Sequence, residues 1–216
     1  MAILFIDVDG TLVNSYPGIA ACIRATMDEL GLPQPSDAQL HRLPGPPLRD
    51  TLAAWGYASD AVERIYAAFH QVYDTSGWKW TTLHEGWADA LPRWKAAGHT
   101  LCTATSKGDT VTTRILDQLG VLEHFDFIGG ADDEGGTRKR KREVIEWVLD
   151  SMDLRGHESK ILMIGDRSHD TEGARPLGIT TALVGWGHGS QPEFDDANFF
   201  APDFPALEAI VAGWTS

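Results

Sequence analysis

Ala2-Ile3-Leu4-Phe5-Ile6-Asp7-Val8-Asp9-Gly10-Thr11 is the stretch from which the rest of the chain can be read. Its apolar half is continuous rather than alternating, the pattern of a strand covered on both faces. Two carboxylates follow at the strand's C-terminal tip, where open α/β sheets bind their ligands. Positions i and i+2 of an extended segment share a face, so Asp7 and Asp9 point into one site. Gly10 permits the sharp turn that leads the chain away. Taken singly, an Asp9-Gly10 corner reads as well as an ordinary turn; the downstream stretches give it weight.

Four more buried strands are expected, at Thr100–Thr105, Phe125–Gly129, Lys160–Gly165 and Thr180–Val184. Helical patterns at Trp87–Ala97, Thr110–Leu119, Arg142–Asp150 and Asp170–Leu177 separate them, and Gly98, Gly120 and Gly178 supply stop signals. Alternation of strand and helix implies an α/β fold, a parallel sheet with helices on both faces. A last helix, Phe204–Val211, is expected at the sheet edge. Between Tyr16 and Trp80 the rhythm breaks: Gly18–Leu30, Ser36–His41, Leu48–Trp55 and Ala61–Tyr73 read as helices, joined by loops that include Pro44, Pro46 and Pro47. This insert is far longer than the dozen or so residues a parallel crossover needs. The expected organisation is a catalytic core of residues 1–14 and 83–216, with a helical cap of residues 15–82.

A second strand tip carries acids. Ile161-Leu162-Met163-Ile164-Gly165-Asp166 ends in a carboxylate, and Asp170 follows near the start of the next helix. Asp7, Asp9, Asp166 and Asp170 gathered at two buried tips would repel by about 4 kcal/mol per pair at ~4 Å and an effective dielectric of ~20. Such a cluster needs a cation or protons, and an oxygen-only donor set selects a hard ion such as Mg²⁺. A third tip, Thr103-Ala104-Thr105-Ser106-Lys107, ends in hydroxyls and opens a helix, which suits phosphate, although Ser106 or Asp109 alone would be a plain helix cap. The run Arg138-Lys139-Arg140-Lys141-Arg142 is mostly a solvated basic face, from which one lysine turning inward would neutralise a carboxylate or phosphate.

Composition narrows the classes. The 216 residues are 43% hydrophobic and 23% charged, ordinary for a globular chain able to bury a core. Two cysteines exclude a disulfide framework. A net charge of −13 speaks against a general nucleic-acid binder. No apolar run reaches the ~18–20 residues of a membrane span. The first residues enter a strand directly rather than a signal peptide, so a cytoplasmic location is expected. Nothing in the sequence fixes an oligomeric state.

DVDGT, then TSK, a lysine and GDRSHD, in this order and at strand tips, resemble the haloacid dehalogenase superfamily. Over essentially the whole chain, the sequence is similar to that superfamily's phosphoglycolate phosphatase and 5′-nucleotidase-like branch. The resemblance implies a Rossmann-like core with a helical cap, and a Mg²⁺-dependent phosphatase of small phosphorylated metabolites. By position, Asp7 corresponds to the nucleophile that becomes an aspartyl-phosphate, and Asp9 to the general acid/base. Thr105 corresponds to the phosphate-binding hydroxyl. Gly10, Ser106 and Lys107 join it as phosphate-side contacts. Lys141 matches the motif lysine, with Lys139 as the fallback. Asp166 and Asp170, with Asp7 and the carbonyl of Asp9, correspond to the magnesium ligands. Arg49, in Gly45-Pro46-Pro47-Leu48-Arg49, is the candidate anion contact from the cap. Dehalogenase members lack an acid at the position of Asp9, so Asp9 argues for phosphoryl chemistry. Two alternatives stay open: a phosphomutase using the same acids, and a non-catalytic domain that keeps the fold. Hinges are expected near Asn14–Tyr16 and Thr81–Leu83, and Gly185–Gly189 reads as a loop bordering the pocket.

Overall fold

Strand β1 (Ile3–Ile6) lies inside the sheet, and its side chains divide between the two faces. In the computed structural model, which describes residues 1–132 and 136–214, Leu4 and Ile6 join one apolar cluster with Trp87, Leu91 and Leu116. Phe5 joins a second with Met163, Val144 and Val148 on the opposite face. All three strand residues are fully buried, each worth about 2 kcal/mol of apolar transfer. A continuous apolar run is therefore what this position demands.

The chain continues through β2 (Val13–Asn14), α1 (Tyr16–Glu29), α2 (Asp37–His41), α3 (Leu48–Ala54), α4 (Ser59–Tyr73) and β3 (Thr82–Leu83). The repeating units α5 (Trp87–Ala96), β4 (Thr100–Gly108), α6 (Asp109–Gln118), β5 (Phe127–Ala131), α7 (Lys141–Ser151), β6 (Ile161–Gly165), α8 (Ser168–Ala174) and β7 (Thr180–Val184) follow. The last elements are α9 (Gln191–Asp196), β8 (Phe199–Ala201) and α10 (Phe204–Trp214). Among the described residues, the main sheet has six strands in the order β5-β4-β1-β6-β7-β8, every neighbouring pair parallel. Ile3 is in register with both Thr100 and Ile161, so the tips of β1, β4 and β6 end side by side.

The α/β reading of the sequence agrees with this sheet, with corrections. β8 and α9 are additions: β8 is three residues long at the sheet edge, and Phe199 and Phe200 are partly exposed, so it lacks the apolar run of a covered strand. β4 extends past Thr105 to Gly108, with a register shift between Ala104 and Gly108 that bends its tip. β5 begins two residues later than Phe125, because Leu122–His124 forms a short 3₁₀ turn before it.

Helices α1–α4 enclose an apolar cluster of their own around Ile23, Met27, Leu52, Ile65 and Phe69. Pro17 starts α1 in its first turn, and Ser36 with Gln39 forms a reciprocal cap on α2. Where the chain leaves and re-enters the main sheet, β2 and β3 pair antiparallel, Val13 opposite Leu83 and Asn14 opposite Thr82.

Candidate active site

The turn after β1 is held from several sides. The Asp7 N–H donates to the Ile164 carbonyl at 2.8 Å, and the Gly10 N–H to the Val13 carbonyl at 2.9 Å. Gly10 has φ +82°, a conformation glycine adopts freely. The indole N–H groups of Trp87 and Trp186 both donate to the Thr11 carbonyl, at 3.0 and 2.9 Å. Asp7 and Asp9 are thereby fixed as buried carboxylates, 2% and 7% exposed.

At the tip of β6, Asp166 is fully buried and Asp170 turns back toward it. Asp170 Oδ2 accepts the backbone N–H groups of Asp166 and Arg167, at 3.0 and 3.1 Å. Asp166 Oδ2 accepts the His188 N–H at 2.7 Å. Gly187 lets this loop approach, since a Cβ there would collide with Asp166 and the Gly10 carbonyl. The loop Gly185–Gly189 is thus part of the site rather than its border. Its role depends on tertiary contacts that no local sequence signal carries.

Lys141, the first residue of α7, supplies the counter-charge. Its ammonium lies 2.6 Å from Asp7 Oδ1, 2.8 Å from Asp170 Oδ1 and 2.9 Å from the Ala104 carbonyl. Lys139 does not take this place; its N–H donates to the Glu143 carboxylate ahead of α7. Arg138 pairs with Asp109 and stacks on Trp147, and Arg142 pairs with Glu146, so these members of the basic run have structural partners.

Among the described residues, Asp7, Asp166 and Asp170 offer oxygen atoms within 4.8 Å of one another. Each pair at that spacing repels by about 3 kcal/mol at an effective dielectric of ~20. Burial, partly offset by Lys141, pushes the Asp7 carboxyl up to about 6. Burial and the neighbouring Asp170 and Asp7 raise Asp166 well above the ordinary carboxylate range. Burial works to strip the Lys141 proton, but Asp170 and Asp7 outweigh it and hold the ammonium above its ordinary range. One lysine does not balance three acids, and Asp166 Oδ1 is buried with no hydrogen-bond partner among the described residues. An all-oxygen set with an unpartnered carboxylate oxygen fits a hard divalent cation.

The tip of β4 completes the cluster. Thr105 is buried, and its hydroxyl accepts the Lys107 N–H at 3.2 Å. Ser106 and Lys107 line a cavity of about 870 Å³ together with Asp9 and residues of α3 and α4. Lys107 is turned onto Asp9, with its ammonium 2.9 Å from Asp9 Oδ2. Arg49 also lines the cavity, but its guanidinium is taken up by Glu63 at 2.8 and 2.9 Å and lies 3.4 Å over the Tyr66 ring. The anion contact expected of Arg49 from the sequence therefore starts from a guanidinium already paired with Glu63. Residues that the sequence reading did not single out are the buried Tyr73, beneath Lys107, and the partly buried pair Arg167–Glu193 at 2.9 Å behind the β6 tip.

Residues 3–184 match the haloacid dehalogenase-like hydrolase model. The chain belongs to that family. This haloacid dehalogenase-like chain is 37% identical over 187 residues to the tyrosine-protein kinase PtkA of Mycobacterium tuberculosis; the match takes in 87% of the chain and spans 63% of PtkA's length. The solved structure of PtkA superposes with a TM-score of 0.83 at 33% identity, covering 97% of each chain. A 5′-nucleotidase of Pseudomonas aeruginosa is 31% identical over 212 residues, covering 97% of this chain and 94% of that protein. A phosphoglycolate phosphatase of Vibrio parahaemolyticus is 26% identical over 218 residues, covering 95% and 94%.

Proposed function

We propose that the chain is a magnesium-dependent phosphatase of small phosphate monoesters, acting through an aspartyl-phosphate. The observation that carries this reading is the Asp7 carboxylate, held at 2.6 Å by Lys141 within coordinating reach of Asp166 and Asp170. An Asp7 oxygen attacks phosphorus while the bond from phosphorus to the ester oxygen breaks. Asp9 donates its proton to that departing oxygen. Water then attacks phosphorus, gives a proton to Asp9, and phosphate leaves Asp7. Thr105 and Lys141 bind the phosphoryl oxygens and offset their charge. Asp7, Asp166, Asp170 and the carbonyl of Asp9 are the groups that would hold magnesium, which supplies further charge neutralisation when bound.

Helices α1–α4, spanning the greater part of residues 15–82, act in this reading as the cap that sets the substrate and excludes water. A cavity of about 870 Å³ is large for a two-carbon acid and supports a leaving group as big as a nucleoside. In this reading the substrate is a small phosphorylated metabolite and the location is cytoplasmic. The helices contain no segment long and apolar enough to cross a membrane among the described residues.

A phosphate-release screen over nucleotide, sugar and short-acid phosphates, with and without Mg²⁺, tests the proposal. Magnesium-dependent release that Asp7→Asn abolishes supports it. Activity unaffected by Asp7→Asn overturns it, and return of an isomeric sugar phosphate instead of free phosphate identifies a phosphomutase. A second reading, phosphoryl transfer to protein tyrosine, is favoured by the similarity to PtkA. Its test is transfer of labelled phosphate from ATP to a tyrosine-containing protein.

A further inference from the structure

Lys107 and Asp9 form a buried ion pair 98 residues apart in the chain, their side chains 6% and 10% exposed. The contact is one-sided. Lys107 holds Oδ2 of Asp9, while Oδ1 is buried and has no partner among the described residues. A carboxyl anchored through one oxygen has the other available to carry a proton. Lys107 is itself held from two directions. Its N–H is on the Thr105 hydroxyl, and its ammonium lies 4.9 Å from the centre of the Tyr73 ring. Tyr73 ends α4 and is 3% exposed, stacked on Phe69 at 5.1 Å between ring centres. An ammonium over an aromatic face is attracted by the negative face of the ring.

The geometry points to Lys107 as a positioning residue for proton transfer: it fixes Asp9 by Oδ2, and α4 fixes Lys107 through Tyr73. This rests on the phosphatase reading, and it replaces the phosphate contact expected of Lys107. The helical insert thereby reaches the reacting proton through one cation, independently of any contact it makes with substrate.

The test compares leaving groups. An alkyl monoester such as glycerol phosphate needs a proton on its departing oxygen; p-nitrophenyl phosphate does not. In Lys107→Met, kcat for glycerol phosphate is expected to fall about 10²-fold, the lower end of what a positioned acid contributes. KM and the pre-steady-state burst of nitrophenolate stay within about 3-fold on the same ground. Lys107→Arg keeps the charge and recovers most of the loss, and Tyr73→Leu reproduces the leaving-group dependence more weakly. A raised KM with kcat retained makes Lys107 a substrate contact and overturns the proposal. Equal slowing of both substrates reduces it to a structural residue. Crystal structures of the parent and Lys107→Met give a readout without turnover. A rotated Asp9 carboxylate supports the inference and an unmoved one overturns it, even for a chain that hydrolyses neither ester, a result that would instead count against the phosphatase reading.

Discussion

Lys141 meets Asp7 across 2.6 Å with both side chains almost wholly buried, 4% and 3% exposed. A pair so enclosed is costly to break from one side, because the remaining charge is stranded. Lys141→Met leaves Asp7 and Asp170 facing each other without a cation. The expected loss is about 3–5 kcal/mol of stability, or a Tm lower by about 10 °C for a chain of this size. Phosphatase activity falls by about 10³-fold or more, as for loss of a group stabilising transition-state charge. Thermal melts and steady-state kinetics check both; unchanged activity would remove Lys141 from the chemistry.

Asp7 titrates near 6 in the folded chain against an ordinary value of 3.8. Between those values the folded state keeps a proton that the unfolded state has released, so stability declines as pH rises through the window and the full penalty stands above about 6. A shift of this size corresponds to about 3 kcal/mol. In EDTA the chain should melt higher at pH 5 than at pH 7.5 once other groups are matched by an Asp7→Asn reference. Mg²⁺ should narrow that gap. A gap identical in the parent and in Asp7→Asn would show that Asp7 is not its source.

Glu193 behaves in the opposite sense. Against the pull of burial, hydrogen bonds from Ser190 and Arg167 and from the Ser168 N–H hold its carboxyl down at about 2. Its contribution is complete above the ordinary value of 4.5 and is lost as pH falls toward 2. Glu193→Ala should cost about 2 kcal/mol at pH 7 and progressively less in acid. Denaturant melts across that range read the difference; a pH-independent cost would contradict the assignment.

Gly187→Ala should damage the site and cost about 1–3 kcal/mol of stability, the usual range for overpacking a buried position. The added methyl collides with Asp166 and with the Gly10 carbonyl, and Asp166 has to move from the other acids. The expected outcome is an activity loss of about 10²-fold that high Mg²⁺ partly restores, as for disturbed support of a metal ligand. Titration of activity against Mg²⁺ measures it. Wild-type Mg²⁺ dependence would argue that Asp166 does not hold the ion.

The strand tips were legible in the sequence because the first candidate acid of each pair directly follows an apolar run, as Asp7 follows Ile6 and Asp166 follows Gly165. Lys141 was narrower to read: five basic residues in a row are chemically alike, and only the start of α7 decides which one turns inward. β8 escaped because three residues with exposed phenylalanines do not look buried. The hold of Lys107 on Asp9, the capture of Asp166 by the His188 N–H and the two indoles on the Thr11 carbonyl had no local signature. Each joins residues that only the folded sheet brings together. The pairing of Arg49 with Glu63, one helix away, was equally illegible, because the two residues sit on separate helices.

The pairing of Val13–Asn14 with Thr82–Leu83 ties the outgoing and returning chain into a single joint. If the insert is the cap proposed above, it can be lengthened or reshaped from this joint without disturbing the register of β1 with its neighbours, provided that Tyr73 stays against Lys107. New substrate preferences would then accumulate in the remainder of the insert while the reacting groups stay as they are.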